Sequence, residues 1–507
     1  MAKLTNLPVE LREHIISFLP LTDRHTLLAL CRISKDFCAL AQPRLFREFS
    51  SSRPRPWRKV GTIYDTQSYG GSVPKRALIH FTHTVISRPD LASQVRYITI
   101  ESFDDDDLFT AEDEEYLEPP TPEMMENFKR AIERLPLSDT NQATAWIENI
   151  MKLKITALTA LLLSQTPNVK SLYVVLDSSP LDELGYLIGK KNTALSGSPS
   201  SYCSALTAVH TTCGNSKYGF RLQHITPLLR LPALETFSGE GLLGYSEYSN
   251  SGSQELSIEP GTLSISHLEL YSTTRHVGGE CDLRQSSIDE KCLTSLVSGC
   301  KQLKVFKYAA DNPPSLSGAD SMKQVNMLEI QSALHCQRHT LQKLAVDTGP
   351  CNFRTMREGG DDEYNPFTEY TRLRHLDLPF FSMVAARELP VSLEYLIIRR
   401  CDASLFRGIV KLVEGRVCPS LKMITVTYKT FEFRYFQEWA GTDRFEDACK
   451  SMTAVLQGKD ITLALASRLK PSQVSGDVKA VVYIDGNGFN IKTDVTLPGV
   501  SDFADMF

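Results

Sequence analysis

One short apolar pattern, returning along most of the chain, limits the fold more than anything else in the sequence. Apolar-x-x-apolar-x-apolar occurs at Val95/Ile98/Ile100, Val169/Leu172/Val174, Leu206/Val209/Thr211 and Leu234/Phe237. It returns at Ile265/Leu268/Leu270, Leu303/Phe306/Tyr308, Leu341/Leu344/Val346, Leu373/Leu376/Leu378, Leu393/Leu396/Ile398 and Leu421/Ile424/Val426. From Val169 to Leu421 the starts lie 20 to 38 residues apart. The alternation inside each copy suits a short strand. Helical patterns precede several copies, at 155–163, 292–297, 327–334 and 405–413. One strand with one covering helix cannot bury its own apolar side, so such units must stack on one another.

The spacing is that of a leucine-rich repeat, near or beyond the top of its roughly 20–29-residue range. The expected fold class is α/β, with an irregular leucine-rich-repeat solenoid (a horseshoe) over residues 91–430. The asparagine step of the standard repeat is largely missing. An ordinary α/β domain is the alternative, because buried parallel strands are also apolar-rich. In a period-two strand, the residues beside the inward apolar ones face the other way. Stacking would line these up as a concave recognition face. Its members are Tyr173, His210, His267, Glu269, Tyr271 and Lys307, followed by Lys343, Asp347, His375, Asp377, Tyr395, Arg399 and Thr425. Mixed charge with interspersed aromatics suits a protein-binding surface.

The first fifty residues are different. Leu7, Leu11, Ile15, Phe18 and Leu19 recur at helical spacing. Pro8 suits the first helical position and Glu10 the first turn. Pro20 ends that helix. Thr22 or Asp23 can cap a second helix carrying Leu27, Leu30 and Cys31, and Ser34 can cap a third carrying Phe37, Leu40 and Ala41. Pro43 tightens or ends the third. About 40 residues are too few to close a stable core alone, so part of this apolar surface must be covered by something else.

These residues resemble the F-box. Over residues 5–46 the likeness rests on Leu7-Pro8-x-Glu10-Leu11, Ile15, Phe18-Leu19, Asp23, Leu27, Cys31-x-x-Ser34-Lys35-x-Phe37 and Leu40-x-x-Pro43-x-Leu45-Phe46. The last phrase resembles the form common in fungal F-box proteins. The pattern often has Val before the Ser and Trp later, where Cys31-Arg32-Ile33 and Phe37 stand here. The resemblance implies docking on the adaptor Skp1, and through it on a cullin, in an SCF ubiquitin ligase. The implied adaptor contacts are Leu7, Pro8, Ile15, Phe18, Leu19, Leu30, Cys31, Phe37 and Leu40. CPSLKMITV, GCKQLKVFKY and TRLRHLDL resemble repeats of F-box proteins with leucine-rich repeats. The expected role is a substrate receptor holding an unknown target protein on the repeats. A scaffold that binds Skp1 without ubiquitination is the alternative.

The expected domains are an F-box over 1–49, a linker and the start of the solenoid cap over 50–90, the repeats over 91–430, and a C-terminal cap over 431–507. Within the cap, 443–457 reads as an amphipathic helix with Phe445, Ala448, Met452 and Leu456 inward. ITLALAS, from Ile461, reads as a strand, and Asp485-Gly-Asn-Gly488 as a hairpin turn. Residues 101–122 are acidic, and 193–204, 244–254 and 349–366 read as loops. The stretch 50–75 reads as a linker that lets the first module project.

Net charge is −5 with pI near 6.2, unlike the basic balance of a nucleic-acid binder. The longest apolar run, ITALTALLL, is nine residues, far from the roughly 20 of a membrane span. Twelve cysteines without a Cys-x-x-Cys pair, and no Asn-x-Ser/Thr acceptor, suit the cytoplasm or nucleus. His335, Cys336 and His339, with Cys351 beyond, lack the framing of a zinc site. No nucleophile elbow, phosphate loop or dinucleotide fingerprint occurs. The expectation is a non-enzyme with no cofactor and no metal, binding neither nucleic acid nor membrane.

Overall fold

A computed structural model of the chain describes residues 7–20, 23–51, 72–100, 120–137, 139–176, 181–188, 202–213, 220–243, 256, 258–272, 288–310, 327–347, 366–379, 389–399, 403–415, 418–428, 437, 440–442, 444–468 and 478–495. Among the described residues, fourteen strands share one open sheet in chain order. They are β1 (Glu48–Ser50), β2 (Tyr97–Ile100), β3 (Ser171–Leu176), β4 (Ala208–Cys213), β6 (Thr236–Glu240), β8 (His267–Ser272) and β9 (Val305–Ala310), then β10 (Lys343–Asp347), β11 (His375–Pro379), β12 (Tyr395–Arg399), β13 (Met423–Tyr428), β14 (Thr462–Arg468), β15 (Val478–Asp485) and β16 (Gly488–Val495). The short β5 (Phe220–Arg221) and β7 (Leu242–Leu243) pair with each other. Neighbours from β1 to β14 are parallel, and β14–β15 and β15–β16 are antiparallel.

Parallel neighbours cannot be joined by a tight turn, so every step needs a crossover. Helices supply several of these: α4 (Ser72–Ser87), α5 (Pro89–Ala92), α6 (Pro122–Glu133), α7 (Thr140–Met151), α8 (Ile155–Gln165), α9 (Asp182–Ile188), α10 (Thr226–Leu229), α11 (Glu290–Gly299), α12 (Met327–Leu334) and α13 (Ala403–Glu414). The helical patterns at 155–163, 292–297, 327–334 and 405–413 thus fall within α8, α11, α12 and α13.

The repeated apolar triplet has a backbone counterpart. The carbonyl just before one strand accepts two consecutive N–H groups from the start of the next. The Lys304 carbonyl takes the Gln342 and Lys343 amides at 2.8 and 2.9 Å, and the Arg374 carbonyl takes those of Glu394 and Tyr395 at 2.9 Å each. The same double bond recurs at Arg47, Arg96, Lys170, Thr207, Glu235, Ser266, Gln342 and Glu394. Strand register then aligns the second apolar position of every unit. Ile98, Leu172, Val209, Phe237, Leu268, Phe306, Leu344, Leu376, Leu396 and Ile424 are successive partners in one column. All are buried, and burial of one such side chain stabilises the fold by roughly 1.5–3 kcal/mol.

Where the standard asparagine is missing, a glutamine bridges one junction. Gln337, between α12 and β10, accepts from the Leu303 amide at 3.1 Å and donates to the Val297 and Cys300 carbonyls at 3.2 and 2.8 Å. The long interval between Val95 and Val169 is filled by α6, α7 and α8. Helix α8 is apolar on every side and buried from Ile155 to Ser164, with α4, α6, α7 and α9 packed around it. The Trp146 indole N–H donates to the Ala157 carbonyl at 3.0 Å.

The C-terminal end follows its sequence closely. Helix α14 (Phe445–Leu456) buries Ala448, Cys449, Met452 and Leu456, with Phe445 half-buried. Asp485 pairs with Gly488 across the hairpin, and its carboxylate accepts from the Asn487 and Gly488 amides at 2.7 and 3.1 Å. Gly488 has φ +149°, open to glycine.

The N-terminal module joins the sheet directly. Its third helix ends at Leu45, and β1 begins at Glu48. Phe46 and Phe49 stack on Phe81 of α4 with ring centroids 5.7 and 4.2 Å apart, and Arg24 donates to the Glu48 carbonyl at 3.1 Å. Residues 52–71 of the linker reading, 101–119 of the acidic stretch, and 193–201, 244–254 and 349–365 of the three loop readings lie outside the described residues. The attachment to the sheet precedes that linker stretch.

Candidate functional site

Three helices build the N-terminal module: α1 (Val9–Ser17), α2 (Arg24–Ile33) and α3 (Lys35–Leu45). The Asp23 carboxylate accepts from the Thr26 amide at 3.2 Å and the Ser34 hydroxyl from the Phe37 amide at 3.2 Å, so both helices start where the sequence places a cap. Two prolines depart from expectation. Pro8 is the N-cap, with ψ 150°, rather than the first helical residue, and α3 runs through Pro43 to Leu45. The Arg44 guanidinium donates to the Leu19 carbonyl at 2.7 Å, closing the corner between α1 and α2.

Among the described residues, Ile16, Leu27, Phe37 and Ala41 form the module's buried cluster, with Leu19, Leu30, Cys31, Leu40 and Leu45 packed around it. Of the adaptor contacts implied by the resemblance, Phe37 therefore lies inside the module, 2% exposed, with the Arg12 guanidinium 5.8 Å above its ring. Ile15 and Phe18 face outward, Phe18 at 73% exposure, beside exposed Pro8 and half-exposed Leu7. Leu19, Leu30, Cys31 and Leu40 are half-exposed at the rim. The inward residue of α1 is Ile16, so the apolar stripe read from spacing is the outward side. Val9, Leu11, Leu28 and Ile33 are exposed with it. Leu11 already stood on the stripe, while Val9, Leu28 and Ile33 needed the packing to be found.

Residues 4–46 match the F-box domain. No curated protein matches the chain. The F-box thus comprises α1–α3, and a mixed α/β body follows it.

On the body, register assigns all thirteen residues of the expected recognition face to the side opposite the apolar columns. His267, Lys343, His375 and Tyr395 lie in one row, and Tyr173, His210, Glu269, Lys307, Asp377 and Thr425 in the next. Tyr271, Asp347 and Arg399 lie two residues further along their strands. The first row is half-exposed, and the His375 and Tyr395 rings stack at 4.5 Å. Tyr173, His210, Glu269 and Tyr271 are half-exposed too.

Lys307, Asp347, Asp377, Arg399 and Thr425 are instead buried. Arg399 forms a two-pronged pair with Asp377 at 2.7 and 2.6 Å and reaches Asp347 at 3.3 Å. Burial pulls the guanidinium pKa down, and the Asp377 and Asp347 carboxylates outweigh it, leaving the group held charged above its ordinary value. The Lys307 ammonium meets Glu269 at 2.8 Å, and the Tyr271 hydroxyl donates to the same carboxylate at 2.8 Å. Burial pushes the His210 and His267 pKa values down, partly offset by Glu269. Both imidazoles are therefore biased toward the neutral form, which can donate and accept a hydrogen bond.

The His335 ring lies 3.9 Å from the Glu369 carboxylate, Cys336 is exposed, and Cys351 lies outside the described residues. Among the described residues, no three His, Cys, Asp or Glu side chains converge to hold a metal, and no helix is long and apolar enough to cross a membrane.

Proposed function

We propose that this chain is the substrate-recognition subunit of an SCF-type ubiquitin ligase. The F-box docks on a Skp1-type adaptor, and through it on a cullin. The body is read as a leucine-rich-repeat solenoid whose non-core face holds a target protein. The observation that carries the reading is the outward apolar stripe of α1, Leu11, Ile15 and Phe18, with Leu28 and Ile33 of α2 also exposed, on a module whose described residues bury a core cluster of four side chains. Exposed apolar patches of that kind mark interaction sites, and F-box domains typically bind Skp1 adaptors. The double strand-start hydrogen bond and the single apolar column support the repeat reading.

In this reading the chain makes and breaks no bonds. It raises the effective concentration of a target near the ubiquitin-carrying enzyme. The free thiols of the described cysteines suit a reducing compartment, the cytoplasm or nucleus. The test is a binding titration with purified Skp1. Leu11→Asp with Phe18→Asp should weaken binding by at least about 100-fold, as expected for central apolar anchors. Wild-type protein that fails to bind, or a double variant that binds as well as wild type, overturns the reading. Partner half-lives with and without proteasome inhibition separate a ligase receptor from a scaffold.

A further inference from the structure

The residue just before each strand forms a ridge along the body. From β9 to β13 its members are Lys304, Gln342, Arg374, Glu394 and Lys422. The ridge is continuous at the backbone. The Gln342 amide donates to the Lys304 carbonyl at 2.8 Å, Arg374 to Gln342 at 2.9 Å, Glu394 to Arg374 at 2.9 Å and Lys422 to Glu394 at 2.8 Å. Adjacent strands lie about 4.8 Å apart, so alternate members stand about 10 Å apart at the backbone. Lys304, Gln342, Arg374 and Lys422 are exposed, and Glu394 is half-exposed.

Charge alternates along this ridge with one gap. Arg374 and Lys422 flank Glu394, whose carboxylate meets the Arg374 Nε at 3.6 Å and the Lys422 Nζ at 2.6 Å. Lys304 and Arg374 flank Gln342 in the same way, two strands apart, but the middle side chain is neutral. Among the described residues, Lys304 and Gln342 form no ion pair and no side-chain hydrogen bond. Arg374 meets Glu394 through Nε, and a guanidinium has further N–H donors on its two terminal nitrogens. Nearer the N-terminus the ridge runs Arg47, Arg96, Lys170, Thr207, Glu235 and Ser266, where no neutral residue stands between two cations.

We infer that Lys304, Gln342 and Arg374 form a seat for a carboxylate from an Asp- or Glu-bearing segment of the target protein. The inference rests on the reading that the body holds a target. An outside carboxylate would do at this seat what Glu394 does from within the chain one step along. Lys304 and Arg374 supply charge from both sides, and the Gln342 side-chain amide supplies an N–H donor. Lys343 and His375 follow Gln342 and Arg374 directly and are half-exposed members of the expected recognition face. The seat therefore borders that face. Charge pairs at such a border fix register and partner choice more than they add affinity.

The test titrates the full chain with a fluorescein-labelled hexaglutamate peptide, read by anisotropy at low salt, where exposed pairs are least screened. Wild type should bind saturably. Lys304→Gln should weaken binding by about threefold, and Lys304→Gln with Arg374→Gln by about tenfold, as expected for exposed ion pairs. Gln342→Glu should fill the seat from within and weaken binding by about tenfold, whereas Glu394→Gln should open a second seat and strengthen it by about threefold. Lys301→Gln removes an exposed charge three residues before Lys304 and should leave affinity nearly unchanged. No saturable binding by wild type overturns the inference. So do equal losses from Lys301→Gln and Lys304→Gln, which would mark a diffuse field in place of a seat. Skp1 affinity should be the same in every variant. Failure of the wild type to bind Skp1 overturns the ligase reading instead, while the peptide titration still judges the seat.

Discussion

Arg399 shows how one side chain can look like a contact and serve as a brace. On its strand it alternates with apolar neighbours, which assigns it to the non-core face. Its pair with Asp377 joins residues 22 positions apart, and its reach to Asp347 crosses β11 to β10. Replacing Arg399 by Ala would remove the guanidinium that pairs with buried Asp377 and reaches buried Asp347. The expected loss is about 3–5 kcal/mol, the usual result of breaking a buried pair from one side, measured by urea unfolding. Glu183 gives a residue-level prediction in pH. It is buried in α9, accepts from the Asn149 amide at 2.6 Å, and its pKa is raised above 4.5 by burial. A folded pKa above the unfolded one binds the proton more tightly when folded. The group's contribution is therefore fully present below the unfolded value and is lost as pH rises through the folded value. Glu183→Gln keeps the shape and removes the titration. It should leave thermal stability nearly unchanged at about pH 4 and raise it at about pH 8.

Among the elements, the helices and strands were legible in the sequence to the extent that each is decided locally. Asp23 and Ser34 cap their helices because a side-chain oxygen two or three residues upstream is all a cap requires. The strand alternation fixed which side each residue faces, since the period of two leaves no other choice. What could not be read was rotation and depth. The spacing on α1 defines a stripe, but whether that stripe or Ile16 meets α2 and α3 depends on packing between helices. Phe37 likewise sits in the same pattern whether it faces a partner or the module's interior. The burial of Lys307, Asp377 and Arg399 depends on register between strands 20 or more residues apart. Gln337 shows the same limit, being one glutamine among many until the turn aims it at the preceding unit. Gln337→Ala removes an acceptor from the Leu303 amide and a donor from two carbonyls, at about 1–3 kcal/mol for each group left unsatisfied. Hydrogen exchange should report this as faster exchange at the Leu303 amide, in the α11–β9 turn, than in the rest of the sheet.

At the scale of the whole molecule, the F-box is stacked on the body and hydrogen-bonded into its sheet. Phe81 carries the aromatic part of that junction, between Phe46 and Phe49. Phe81→Ala should destabilise the chain by about 2 kcal/mol, less than a fully buried Phe would. Adaptor affinity should stay within about twofold, because the outward stripe is untouched. Under the proposed function, ubiquitin transfer to a bound target should fall more than adaptor binding does, which a reconstituted ligase assay would read. The paired amides at each strand start have a different consequence. They set the three or four residues before a strand rigidly, while the stretch after a strand varies freely in length from one unit to the next. The chain therefore has a grammar for insertions. A foreign loop spliced in after a strand should be accepted, and one spliced in between the last turn and the strand it feeds should split the sheet at that seam.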